Sequence, residues 1–229
     1  MGDSRKRFLV AIALLLAPMF GFAQDDQPET WDGLVRIEDS RAYSAFIDPD
    51  ADFSVFRRVA VLEPEVAFRA NWLRDTNRSR ARNVRASDVE RIKADVADLL
   101  KDVFIERLEA AGYPIVNVAD EDVLVLRPSI IDLDVVAPDT RQTGRSRTYT
   151  TQTGAATIFL ELFDSLSGAV IGRALDRQSA AQSRTFATVA NRVTNRADAR
   201  RVFVGWADQL VAFLDSHYAT AEDMTADDE

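Results

Sequence analysis

The chain has 229 residues, 47% of them apolar, with 37 acidic side chains against 28 basic ones, a single histidine and no cysteine. A formal charge of -9 argues against bulk nucleic-acid binding. The missing cysteines exclude disulfide scaffolds and thiol nucleophiles, and with only one histidine they exclude zinc centres built from cysteine or from several histidines.

Arg5, Lys6 and Arg7 precede an apolar run over residues 8–22, and Gly21 and Ala23 place small residues where a signal peptidase reads. Residues 1–23 are therefore expected to be a signal peptide. The mature chain would begin at Gln24 with a charge of -11 and no transmembrane segment. Without a cysteine to take a lipid, the expected product is a soluble periplasmic or secreted protein. Residues 24–42 read as a flexible acidic lead-in. Asp48, Asp50 and Asp52 alternate like the start of a calcium loop. Phe53 and Val59 stand where the turn glycine and the closing glutamate would be needed, so a turn on Asp48 and Pro49 is expected.

Phe56, residues 59–62 and residues 66–68 read as a first strand, with Pro64 marking an edge or a bulge. Residues 69–86 read as a polar connection anchored by Trp72 and Leu73. Residues 87–112 form the clearest element, an amphipathic helix. Ser87 and Glu90 suit a capping box, and Val89, Ile92, Val96, Leu99 and Val103, widened by Leu100, Phe104 and Leu108, make one apolar stripe. Gly112 and Pro114 end it.

Four strands follow, over residues 115–118, 123–136, 155–163 and 169–175, the last two forming a hairpin. In the long one, Val123, Val125, Ile131, Leu133 and Val135 share a phase that leaves Asp132 and Asp134 on the other face, and Pro128 implies an edge or a bulge. Residues 178–193 read as loop with room for a sixth strand. A second helix, capped at Thr194 or Asn195, carries Ala199, Phe203, Trp206, Leu210 and Phe213 on one stripe. Residues 219–229 read as a disordered acidic tail. The fold class is α+β: a mainly antiparallel sheet of about five strands with two long amphipathic helices on one face, in the order strand, helix, four strands, helix, within a single domain over residues 43–218.

Three stretches, "DFSVFRRVAVLEPEVAF", "DEDVLVLRPSIIDLDVVAP" and "TIFLELFDSLSGAVIGRALD", lie in this order around the long helix. Through them the chain resembles a family of Gram-negative envelope proteins known as domain of unknown function family 3313, many of whose members are lipoproteins. The chain departs from many of them in having no lipid-accepting cysteine. The resemblance implies an envelope protein and carries no catalytic residue onto any position here.

Enzymatic chemistry finds few candidates. His217 continues the stripe of the last helix, so a partly buried or dipole-stabilised histidine is expected rather than a general base. No nucleophile elbow, phosphate loop or dinucleotide fingerprint occurs, and no cofactor is implied. Asp132 with Asp134 would suit a hydrolase acting on cell-wall or surface polymers through paired carboxylates; a solvated sheet face is the reading favoured for them. Glu161, if its face is buried, needs a partner such as Arg173 on the neighbouring strand. The leading functional reading is a non-catalytic envelope binding or scaffold module.

Charge placement adds one surface. Residues 69–86 carry +5, with Arg74, Arg78, Arg80, Arg82 and Arg85. Arg141, Arg145 and Arg147 follow in the loop over residues 139–147, and residues 173–201 hold seven arginines against two acids. Arginine's planar fork pairs with phosphate or carboxylate in bidentate fashion. If these loops meet on one surface, the expected partner is anionic: lipid headgroups, lipopolysaccharide phosphates or an acidic envelope protein. The alternative is that they point apart, as solvated charge runs usually do.

Overall fold

Two long amphipathic segments and a series of period-two segments must bury their apolar faces against one another, which dictates a layer of helices on a sheet. The computed structural model of the chain describes residues 29–38, 40–78, 83–135, 148–150, 154–179, 188–190 and 192–226. In chain order the elements are β1 (Thr30–Trp31), β2 (Leu34–Arg36), β3 (Ser44–Ile47), a 3-10 turn (Phe53–Val55), β4 (Arg58–Val61), β5 (Glu65–Phe68), α1 (Trp72–Arg78) and α2 (Ala86–Ala110). Then come β6 (Val123–Leu133), β7 (Thr148–Thr150), β8 (Ala155–Asp164), β9 (Val170–Ser179), β10 (Thr188–Ala190) and α3 (Arg192–Ala226).

The α+β class and the mostly antiparallel sheet stand, while the strand count and helix order change. The main sheet has eight strands, ordered β1-β2-β3-β9-β8-β6-β4, with β5 following β4 along β6; β7 and β10 pair separately. Residues 29–36, read from sequence as lead-in, supply the edge hairpin β1–β2. Residues 69–86 contain α1 and are not a plain connection. Residues 115–118 form no strand; Ile115 makes a single bridge to Val59. Residues 188–190 give the extra strand for which residues 178–193 left room, and α3 runs past Tyr218 into the segment read as a tail.

Pro128 sits inside the sheet, which corrects the edge reading. It pairs with Leu160 of β8 on one side. Leu62 donates to the Leu126 carbonyl at 2.9 Å, so by alternation the backbone nitrogen of Pro128 also faces the β4–β5 side. β4 pairing stops at Leu126 and β5 pairing starts at Ser129. The missing N–H thus falls between the stretch of β6 that pairs with β4 and the stretch that pairs with β5. The phase of β6 differs as well: Leu124, Leu126 and Ile130 join the core, whereas Val125 lies on the other face. An irregularity in the β5–β6 register, with Val66 opposite Ile130 and Phe68 opposite Leu133, returns Leu133 to the core side.

α2 begins two residues earlier than the Ser87 cap implies. Asn77 holds the backbone of Val84, accepting from its N–H at 2.7 Å and donating to its carbonyl at 3.2 Å. The chain consequently turns into the helix at Arg85, whose N–H donates to the Asp88 carboxylate. Its end follows expectation: Gly112 has a φ of +92°, and Tyr113 N–H reaches the Leu108 carbonyl at 3.0 Å, the six-residue closure that positive φ permits. Ile92, Leu99, Leu100, Val103, Phe104 and Leu108 are buried as the stripe predicts. They share one core with Phe203, Trp206, Leu210 and Leu214 of α3 and with Leu124, Leu126, Ile130, Ile158, Leu160 and Leu162 of the sheet.

The opposite face of the sheet is ordered by charge. Glu161, 4% exposed, accepts from Arg173 Nε at 3.1 Å and pairs with Arg127, each lying opposite it on a neighbouring strand. Arg173 was the expected partner; Arg127 joins it. The β1–β2 hairpin folds over this face, bringing Asp32 to Arg173 at 2.5 Å and Trp31 to within 5.6 Å of both Phe46 and Phe159.

Leu99→Asp should unfold the domain, because it places an unpartnered charge in the buried stripe. Asp98→Ala, on the exposed side of the same turn, should shift stability by less than about 0.5 kcal/mol. Denaturant melts of the two variants separate these outcomes.

Candidate ligand cleft

Helix and sheet do not fill all the space between them. A cleft of about 460 Å³ opens between α3 and strands β3, β8 and β9, within the range of small-molecule sites. Its cause lies in side-chain size along two cross-strand rows. One row runs Leu160, Ala174, Ala45 and the other Leu162, Gly172, Ile47. Bulk falls away at β9 in both rows and stays low at β3 in the first. A Cβ on Gly172 would stand 3.0 Å from the Leu162 Cδ1, so glycine there lets the strands carry that leucine without a clash.

The walls are apolar: Phe104 from α2, and Trp206, Leu210 and Phe213 along one side of α3. One buried polar group interrupts them. Asp176, 6% exposed, accepts from the Trp206 indole at 2.7 Å and the Gln178 amide at 2.8 Å on one oxygen, and from the Tyr43 backbone N–H at 3.2 Å on the other. These donors satisfy a carboxylate that would otherwise be costly to bury. Ser40 and Arg41, from the loop between β2 and β3, and Ser216 and His217, from α3, complete the lining.

His217 is half-buried, as its place on the stripe implied. Its Nδ1 lies 2.8 Å from the Phe213 carbonyl, and its ring lies 5.2 Å from Phe53 and 4.4 Å from Phe213. Because α3 continues to Ala226, His217 is not at a helix end, and the dipole expectation does not apply. Asp52, on the turn that packs here, is held below its ordinary carboxyl range by the Ser54 hydroxyl first and the Ser54 N–H second. Asp48 accepts from the Asp50 N–H in the same segment, the turn expected on Asp48 and Pro49.

Of the two carboxylates weighed for hydrolysis, Asp132 is half-buried near the end of β6, and Asp134 lies just beyond that strand. Asp134 binds Arg69 Nε at 2.9 Å, and Glu161 is held by its two arginines. Among the proposed anion-binding residues, Arg74 is exposed and pairs with Asp75 at 3.1 Å. Arg78 and Arg85 are exposed, and the Asn77–Val84 clamp ties together the two ends of the segment that bears them. Arg80, Arg82, Arg141, Arg145 and Arg147 lie outside the described residues. Sequence reading missed Asp176, Arg41 and the small residues Ala45, Gly172 and Ala174. The available signal was weak: an acid at the end of an apolar strand, and small residues in two strands far apart in sequence.

The family described as "Protein of unknown function (DUF3313)" matches residues 21–210. The chain belongs to that family. A search of curated proteins finds no match for this DUF3313 chain. Among solved structures it is similar to the protein XCC0632 from Xanthomonas campestris, a DUF330 structure, with a TM-score of 0.42 and 12% identity over 77% of this chain and 93% of that one. It is similar also to the PelC dodecamer from Paraburkholderia phytofirmans, with a TM-score of 0.34 and 14% identity over 66% and 88% of the two chains. A minor lipoprotein from Acinetobacter baumannii gives a TM-score of 0.30 and 13% identity over 69% and 94%.

Trp206→Phe keeps a ring in the wall but removes one donor from buried Asp176. It should cost about 1–3 kcal/mol of stability, read from the denaturant midpoint.

Proposed function

We infer that the protein is a non-catalytic binding module of the bacterial envelope, exported to the periplasm or beyond, and that the cleft beside α3 holds an apolar ligand. The cleft itself carries this reading: about 460 Å³ of space with apolar walls and one saturated carboxylate. Membership of the family and the charged, apolar and small-residue pattern over residues 5–23 support the compartment. No helix among the described residues is long and apolar enough to cross a membrane.

A second surface accompanies it. Arg74, Arg78, Arg80, Arg82 and Arg85, joined by Arg141, Arg145 and Arg147, would hold an anionic envelope component such as lipid headgroups, lipopolysaccharide phosphates or an acidic protein. The Asn77–Val84 clamp supports this reading, because it brings the bases of the arginine-bearing segment together. Near an anionic membrane each basic residue contributes on the order of 1 kcal/mol, and the attraction falls as salt screens it.

The neutral dye N-phenylnaphthylamine should bind with enhanced fluorescence, and Ala174→Leu, which projects into the cleft from a half-buried position, should abolish the enhancement while the thermal midpoint holds. An unchanged enhancement in that variant would reject the cleft as the binding site. For the arginine surface, replacing Arg78, Arg80 and Arg82 with serine should lower binding to anionic vesicles at low salt; equal binding by variant and parent at low and physiological salt would reject it.

A further inference from the structure

Three features of the cleft restrict what it can hold, on the reading that it is a binding site. The first is size. About 460 Å³ lies in the lower half of the range of small-molecule sites, room for a ligand with one long alkyl chain.

The second is the state of the inner polar group. Asp176 already accepts from Trp206, Gln178 and the Tyr43 N–H, so it asks for no donor from a ligand. An anionic head placed inside would meet this carboxylate in a poorly solvated space, where like charges repel strongly. The inner part therefore takes hydrocarbon, against Phe104, Ile158, Leu160, Ala174 and Leu210, and the head stays at the opening.

The third is charge at the opening. Arg41 is exposed there, on a loop shaped by the Ser40 hydroxyl, which accepts from the Ala42 N–H at 3.1 Å. The acids on the same stretch of α3 are engaged with α2 and the residue just past its end: Asp208 pairs with Arg107 at 2.6 Å, and Asp215 accepts from the Tyr113 hydroxyl at 2.7 Å. Arg173 also borders the cleft, but its guanidinium is committed to Asp32 and Glu161 on the far face of the sheet. Arg41 is thus the cation placed to meet a ligand's head.

We propose that the cleft binds a single-chain anionic amphiphile, with its alkyl chain between α3 and the small-residue floor of β3 and β9 and its carboxylate or phosphate against Arg41. A guanidinium pairs with either head through two N–H donors, and each buried methylene adds about 0.8 kcal/mol of transfer free energy, so affinity should rise with chain length until the cleft is full.

The test is displacement of N-phenylnaphthylamine by three amphiphiles of equal chain length, all below their micelle concentrations: laurate, dodecyl phosphate and dodecyltrimethylammonium. The parent should bind laurate or dodecyl phosphate about tenfold more tightly than the cation, a typical range for one charge-assisted contact. Whichever anion binds better identifies the head. Arg41→Gln should bring the ratio of anion to cation affinity, read within the variant, close to one while the thermal midpoint holds, since Arg41 is exposed. Equal affinity for anion and cation in the parent, or a preference that survives in Arg41→Gln, overturns the proposal and leaves the cleft an apolar site. Loss of the underlying reading has a different signature, because dye binding would then persist in Ala174→Leu.

Discussion

A buried carboxylate held by neutral donors sets the relation of helix to sheet. Asp176 belongs to β9, accepts from Trp206 of α3, and receives the N–H of Tyr43 just before β3 begins. Three parts of the chain distant in sequence converge on two oxygen atoms. Apolar burial alone is non-directional; it would hold α3 against the sheet in several rotations. The indole N–H of Trp206 is directional, and its bond to Asp176 favours the side of α3 that faces inward. The cleft is then what remains once Trp206 is pinned and the residues opposite it are alanine and glycine.

The other side of the sheet reaches specificity by a different route. Glu161 lies between Arg127 and Arg173 in one row across three strands, and a slip of one residue in either pairing would put the carboxylate on the helix side among leucines. Such a pair offers little net stability once desolvation is counted, but breaking it by removing one partner is expensive. The ladder thus acts against wrong registers more than in favour of the right one. The Asp32 contact extends the same ladder to the edge hairpin and draws Trp31 over Phe46 and Phe159.

Those elements whose information is local were legible in the sequence. The stripe of α2, its stop at Gly112, the β8–β9 hairpin and the broken strand around Pro64 all follow from periods and turn residues within about twenty-five positions. The cap was misplaced because Asn77, outside the helix, decides where Val84 turns. The face of β6 was misjudged because a register irregularity near Ile131 joins two phases that a single alternation cannot describe. β1 and β2 are too short to leave a pattern. The cleft was invisible for a stronger reason: Ala45 and Ala174 are unremarkable until β3 and β9 are known to be neighbours, and nothing in either segment names the other. Glu161 was the exception, since an acid on a buried strand face demands a partner and the adjacent strand had an arginine to supply it.

The position of β9 has a consequence for how the molecule comes into being. It lies between β3 and β8, so the strands made first have no place to dock until residues 170–179 arrive. A chain delivered from its N-terminus, by synthesis or by threading through a pore, can form α2 early but cannot join the two halves of its sheet until most of its length has emerged. Pairings of this span assemble slowly. The same arrangement keeps a shorter chain from closing prematurely, since every product that ends before residue 170 lacks the strand that makes the halves one body.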